Sequence, residues 1–226
     1  MTRTPSLTFL SRLDEAGQQD LLARGRTRKY RAQSILFFEG DDAHDVMVVQ
    51  AGEIKVSVSI DGREVLLDVL GPGDVLGELS AIDGGPRSAT ATSLGAAEVV
   101  TIPAERFMEF LSDRPLVTLD LMRAVAGRLR DTSRRQVEFG ALDGLGRVCR
   151  RLVELMDRYG EPAPTGLRIA GPLSQSEIAA WAGLSREAVV KALHALRALG
   201  WVATAAKSIT VLDVDAVTAR ASVVLS

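Results

Sequence analysis

The sequence predicts an α+β protein made of an antiparallel β-roll, one long helix and a winged helix-turn-helix, in that order. Three observations predict it. Between Arg26 and Pro103, short apolar or alternating runs are cut by Gly40, Gly52, Asp61-Gly62, Gly71 and Gly73, the pattern of a small antiparallel barrel or jelly roll. After Pro115, helical periodicity runs unbroken to Phe139. Near the C-terminus, two short helical patterns meet at Gly183 and are followed by WVATAAKSITVL, which reads as two strands.

Taken in order, LTFLSRLDEAGQQDLLAR (7–24) reads as short helices. In the roll, Val56, Val58 and Ile60 alternate with Lys55, Ser57 and Ser59, so one strand face is buried. Ile60-Asp61-Gly62-Arg63 predicts a hairpin, because Asp-Gly tolerates positive φ. The stretch GELSAIDGGPRSATATS (77–93) reads as a glycine-rich loop, with Glu78 and Arg87 as candidates either for a surface salt bridge or for an anion pocket. AERFMEFLSD is a short helix that stops before Pro115.

The long helix carries a seam of Met122, Val125, Leu129, Thr132, Gln136 and Phe139, spaced alternately by three and four. Such a seam seeks a partner helix. The simplest partner is the same helix of a second chain; the alternative is packing on its own roll. Gly140 to Gly144 interrupts the helix, and Asp143 is a candidate N-cap for the next one. The predicted division is therefore 1–113 for the roll, 114–139 for the dimerisation helix, 140–144 for a hinge and 145–226 for the winged helix-turn-helix.

In the last segment, Ser174-Gln175-Ser176-Glu177 is a capping box for a helix over about 175–182. Gly183 permits a tight turn, and Ser185 caps a second helix from Arg186 to about Leu199. Ile178, Leu184, Val189, Leu193 and Leu196 face inward. Arg186, Glu187, Val190 and Lys191 are left outward, at the end of a recognition helix that enters a major groove. Arg takes guanine O6 and N7, and Glu accepts from a cytosine amino group. Lys207 and Ser208 in the wing face the phosphate backbone, with Ser174, Gln175 and Ser185 at the helix starts.

Charge agrees with this division. The net charge is −2, but Gly144–Ser226 holds 10 Lys+Arg against 7 Asp+Glu, whereas the residues before it hold 17 against 22. A basic C-terminal part fits contact with double-stranded DNA. The single cysteine, Cys149, excludes an intrachain disulfide and a four-thiolate cluster. No run of about 18 apolar residues and no apolar leader is present, so a cytoplasmic protein without a membrane span is expected. One roll histidine, His44, cannot supply a His cluster, and no nucleophile–base set appears. Neither an enzyme nor a metal, haem or iron–sulfur protein is expected.

FFEGD, AGEIKV, GPGDVLGELS, GGPRSAT, RLRDTSRR, ALDGLGRV and LSREAVVKAL together resemble the CRP/FNR family of bacterial transcription regulators, over about residues 8–213. Within it they resemble the cyclic-AMP receptor proteins. The short loop of GELSAIDGGPRSA and the Gly-Trp before the wing resemble the actinobacterial branch. The resemblance implies cAMP as allosteric effector, held by Gly77, Glu78, Leu79, Arg87, Ser88, Ala89, Thr132 and Ser133. Arg87 and nearby amides then hold the cyclic phosphate, Glu78 the ribose 2′-OH, and Thr132 and Ser133 the adenine. It also implies a homodimer, RNA polymerase as partner, and a GTG half-site read by Arg186 and Glu187. Lys191 departs from the family's usual Arg, and Ala205-Ala206 from a usual Gly. Alternatives are a relative that ignores cAMP or answers another nucleotide, and a nucleotide-binding scaffold without DNA.

Overall fold

The computed structural model describes residues 8–171, 173–205 and 208–222. The chain divides into two compact units, with the dividing line between Asp131 and Thr132.

The first unit opens with a 3-10 turn at Leu10–Arg12 and helix α1 (Glu15–Ala23), capped by the Asp14 carboxylate, which accepts from Gly17 N at 2.8 Å. Eight strands follow: β1 (Arg26–Tyr30), β2 (Ile35–Phe37), β3 (Asp45–Ala51), β4 (Ile54–Ile60), β5 (Arg63–Leu70), β6 (Val75–Leu76), β7 (Thr90–Ser93) and β8 (Ala97–Pro103). They form two antiparallel sheets in the orders β1-β8-β3-β6 and β2-β7-β4-β5. The expected Asp61-Gly62 hairpin joins β4 to β5, with both residues at positive φ (50° and 74°).

The apolar run of β3 is buried on both faces. Met47 and Val49 point into the core between the sheets, with Ile54, Leu70, Leu76, Ala91 and Val99. Val46 and Val48 point into a second core with Phe9, Leu21, Phe107 and Phe110. The aromatic pair comes from helix α3 (Ala104–Ser112), whose buried stripe is Phe107, Phe110 and Leu111.

Helix α4 begins at Pro115 and ends at Ala141. Leu121 is its buried anchor in the first unit. Among the expected seam positions, Met122 and Leu129 are exposed at 63% and 66%, Val125 is half-buried, and Thr132, Gln136 and Phe139 are exposed. The helix continues through Gly140 and Ala141, two residues beyond the expected start of the hinge, and only Leu142 and Asp143 separate it from the next helix. Gly140 does not take a positive φ and nothing crowds it, so it stays helical.

In the second unit, α5 (Gly144–Tyr159) is capped by Asp143, which accepts from Gly146 N at 2.8 Å. Strands β9 (Gly160–Ala163) and β10 (Gly166–Ile169) follow, then helices α6 (Gln175–Ala182) and α7 (Arg186–Ala198), strands β11 (Val202–Ala205) and β12 (Ser208–Val211), and helix α8 (Val214–Ala221). The sheet order is β11-β12-β10-β9. GEPAPTG, rich in Pro and Gly, supplies the edge strand β9, and an edge position tolerates Pro162, which has no ladder donor. The core holds Leu152, Leu155, Trp181, Val189, Leu193, Leu196 and Val217. Cys149 is buried with them, and burial pushes its thiol up to about 11, so it stays protonated and inert.

Candidate nucleotide pocket and DNA-reading face

The stretch GELSAIDGGPRSATATS is not simply a loop. Glu78–Asp83 forms helix α2, bracketed by Gly77 (φ +77°) and Gly84 (φ +72°). Six residues are too few to show a helical period. A Cβ at Gly77 would run into the Arg87 guanidinium, so Gly77 is needed for space as well as for its φ. Ser80 Oγ donates to Pro86 O at 3.1 Å and ties the end of the loop back to the helix.

Glu78 and Arg87 are both buried, at 3% and 4% exposure, and each has its own protein partner. Arg128 of α4 donates to Glu78 Oε1 at 2.6 Å and to Val75 O at 2.7 Å. Arg87 donates to Asp45 Oδ1 at 2.5 Å and to Gly77 O at 3.2 Å, and its guanidinium sits 4.3 Å above the Phe37 ring. Its Nε is buried with no hydrogen-bond partner among the described residues. Glu78 and Arg87 therefore do not pair with each other: Glu78 pairs with Arg128 and Arg87 with Asp45.

The Arg87 backbone is pinned to the β2–β3 turn, with its N–H donating to Asp41 O and its carbonyl accepting from Gly40 N. Of the other residues expected here, Ala89 is buried, Gly77 is half-buried, and Leu79 and Ser88 are exposed. Thr132 and Ser133 stand on α4 in the second unit, at exposed positions. Arg87 is thus a charged, buried donor whose Nε keeps no partner among the described residues, and Gly77 lies directly against the same guanidinium.

The helix-turn-helix forms from its caps. Ser174 Oγ accepts from Glu177 N at 3.3 Å, and Glu177 Oε2 accepts from Ser174 N at 2.6 Å, completing the capping box. Gly183 is left-handed (φ +61°), and a Cβ there would lie 2.5 Å from Phe139 Cε1. Ser185 Oγ accepts from Ala188 N and starts α7. Phe139 thus packs on the turn, with Arg147 over its ring at 5.3 Å, although the sequence pattern places it in the dimer seam.

Val189, Ala192, Leu193 and Leu196 of α7 are buried. The opposite face carries Arg186, Glu187, Val190, Lys191 and His194, all exposed. The Glu187 carboxyl is held below its usual range by its own backbone N–H and by Ser185, so it is ionised and able to accept. Ser174, Gln175 and Ser185 are exposed, and Ser208 is half-buried at the start of β12. Ala206 and Lys207 lie outside the described residues. Arg197 Nη1 donates to Thr204 Oγ1 at 2.9 Å and fastens α7 to the wing.

Residues 27–114 match the cyclic nucleotide-binding domain family, and residues 146–220 match the Crp-like helix-turn-helix domain family. The chain is 35% identical over 187 residues to the CRP-like cAMP-activated global transcriptional regulator of Mycobacterium tuberculosis, covering 82% of this chain and 84% of that one. This chain belongs to the CRP/FNR family of transcription regulators. It is also 32% identical to the cyclic AMP receptor protein of Thermus thermophilus, covering 77% and 78% of the two chains. Among solved structures, the c-di-GMP responsive global regulator CLP of Xanthomonas campestris matches at 26% identity with a TM-score of 0.78, covering 88% and 99%. CRP/FNR proteins are regulators that bind DNA, not enzymes. Among the described residues no helix is long and apolar enough to cross a membrane, and no cluster of three or more metal-ligating side chains occurs.

Three side chains that hold Glu78 and Arg87 were not foreseen in the sequence of this CRP/FNR chain: Arg128, Asp45 and Phe37. Arg128 carried a weak signal, one turn of helix before Thr132. Asp45 and Phe37 carried none, because strand pairing alone brings them to Arg87.

Proposed function

We propose that this chain is a cAMP-responsive homodimeric transcription regulator that binds a palindrome with GTG-like half-sites. The observation that carries the ligand reading is Arg87: buried, cationic, anchored by Asp45 and Gly77 O, and left with an Nε that has no partner among the described residues. The named activity of the Mycobacterium and Thermus relatives supports cAMP in particular. Glu78, held by Arg128, is a fixed acceptor for a ribose hydroxyl. Leu79, Ser88 and Ala89 complete the roll's share of the site, and Thr132 and Ser133 supply acceptors for the adenine amino group.

The dimer is supported by α4. Leu116, Met122 and Leu129 are apolar and exposed at 78%, 63% and 66%, more than a solvated helix face carries without a partner. In this reading residues 114–139 are the dimerisation helix, and the roll (1–113) and the DNA-binding part (145–226) act on either side of it and of the segment 140–144. One cAMP in each roll shifts the dimer toward the register in which both α7 helices reach successive major grooves, about 34 Å apart. The shift is limited to the ligand's differential affinity for the two states. Arg186 reads guanine, Glu187 cytosine, and Ser174, Gln175, Ser185, Lys191, Lys207 and Ser208 contact bases or phosphates. RNA polymerase is the protein partner, and the protein works in the cytoplasm beside the chromosome.

Isothermal calorimetry tests the ligand. Wild type binds cAMP, and Arg87→Leu and Arg87→Lys, each shown folded by circular dichroism, lose most of the binding, Lys because it has no Nε. Absence of binding to wild type, or undiminished binding to both variants, refutes the reading.

A further inference from the structure

The exposed face of α7 holds one apolar side chain among four polar ones. Arg186, Glu187, Lys191 and His194 carry donors, acceptors or charge, whereas Val190 carries only two methyl groups and is 43% exposed. Its neighbour Val189 is fully buried, so the helix does not need Val190 for its core. Positions 186, 187, 190, 191 and 194 form one stripe at helical spacing. Whatever edge Arg186 and Glu187 face, Val190 faces the next step along it.

We propose that Val190 is a specificity residue that selects thymine through its 5-methyl group. This rests on the reading of α7 as the base-reading helix. The thymine methyl is the only apolar group that a base edge offers in the major groove. Valine is stiff at χ1 in a helix, so its methyls stand at a fixed depth. It can neither donate nor accept, so any other base edge placed there loses water without a replacement bond. Lys191 cannot repeat the forked contact of an arginine. Beyond Arg186 and Glu187, discrimination therefore passes from hydrogen bonding to a methyl contact.

The test uses the full chain with cAMP and the duplex that it enriches best from a randomised pool. Thymines of each half-site are replaced singly by deoxyuridine, which lacks only the methyl, and affinity is read by fluorescence anisotropy. Wild type loses about fourfold at one thymine per half-site, the equivalent of one buried methyl. Val190→Ala loses that sensitivity and keeps its preference for the guanine read by Arg186. If wild type binds every deoxyuridine duplex as tightly as the thymine duplex, or if Val190→Ala retains the same penalty, the proposal is overturned while base reading by α7 stands. If no sequence is enriched at all, the reading of α7 falls and the proposal with it.

Discussion

Arg128 and Glu78 form an ion pair at 2.6 Å between the first turn of α2 and α4, with the carboxylate 3% exposed and the arginine side chain 31% exposed. The pair ties the helix that bears the exposed apolar seam to the residue read as the ribose acceptor. In the proposed reading, a nucleotide at Glu78 would act on α4 through this pair.

Removing Arg128 leaves a buried carboxylate without its donor. Arg128→Ala is expected to destabilise the first unit by about 1–3 kcal/mol, because the orphaned group keeps its desolvation cost. Arg128→Ala with Glu78→Gln is expected to cost less than the two single changes added, because they share one interaction. Urea unfolding followed by circular dichroism measures all three.

A second buried pair acts in the other unit. Glu138, near the end of α4, accepts from Arg151 in a very short contact and from Arg150 Nε at 3.0 Å. Arg151 is 2% exposed and burial pulls its pKa down, so it depends on that carboxylate and on Glu154, 3.2 Å away. Trp181 packs against the guanidiniums of Arg135, Arg151 and Arg158, each 5.5–5.9 Å from its ring. Glu138→Ala is expected to cost about 3–5 kcal/mol. The only tryptophans, Trp181 and Trp201, both lie after Thr132. Tryptophan fluorescence therefore reads this unit alone, and its transition shifts to lower urea.

Much of this was legible in the sequence. The caps at Ser174, Ser185 and Asp143 and the hairpin at Asp61-Gly62 are local chemistry, set within four residues, and they form where the spacing predicts. Helix α2, strand β9 and helix α8 were not legible, because each is short and held by tertiary contacts rather than by period. The partners of Glu78 and Arg87 were not legible either. Arg128 is 50 residues from Glu78 and Asp45 is 42 from Arg87, and only the folded roll brings them together.

Asp143 gives the second unit a pH dependence. The Gly146 N–H comes first in holding its carboxyl below the usual range; burial opposes it next, and Arg220 and Arg147 add to the lowering. A lowered folded pKa stabilises above the unfolded value, near 4, and this contribution is lost as pH falls through the folded value. The side chain is 64% exposed, so screening keeps the ion-pair share small. Asp143→Asn retains the cap and is expected to flatten the stability profile below about pH 4. Asp143→Ala loses the cap as well, about 1 kcal/mol at neutral pH. Glu154, whose carboxyl is pushed up by burial, acts with opposite sign and only above that window. Urea titrations by tryptophan fluorescence between pH 3 and 7 separate the two.

The central claim is that a nucleotide held at Arg87 controls DNA binding through α7. It is tested most directly by titrating the full chain into a fluorescent duplex with two GTG half-sites, at fixed salt, with and without cAMP. The account predicts at least about fivefold tighter binding with cAMP, the lower end of usual allosteric couplings, and no such gain for Arg87→Leu. Equal affinity with and without cAMP, or an equal gain in Arg87→Leu, would contradict it.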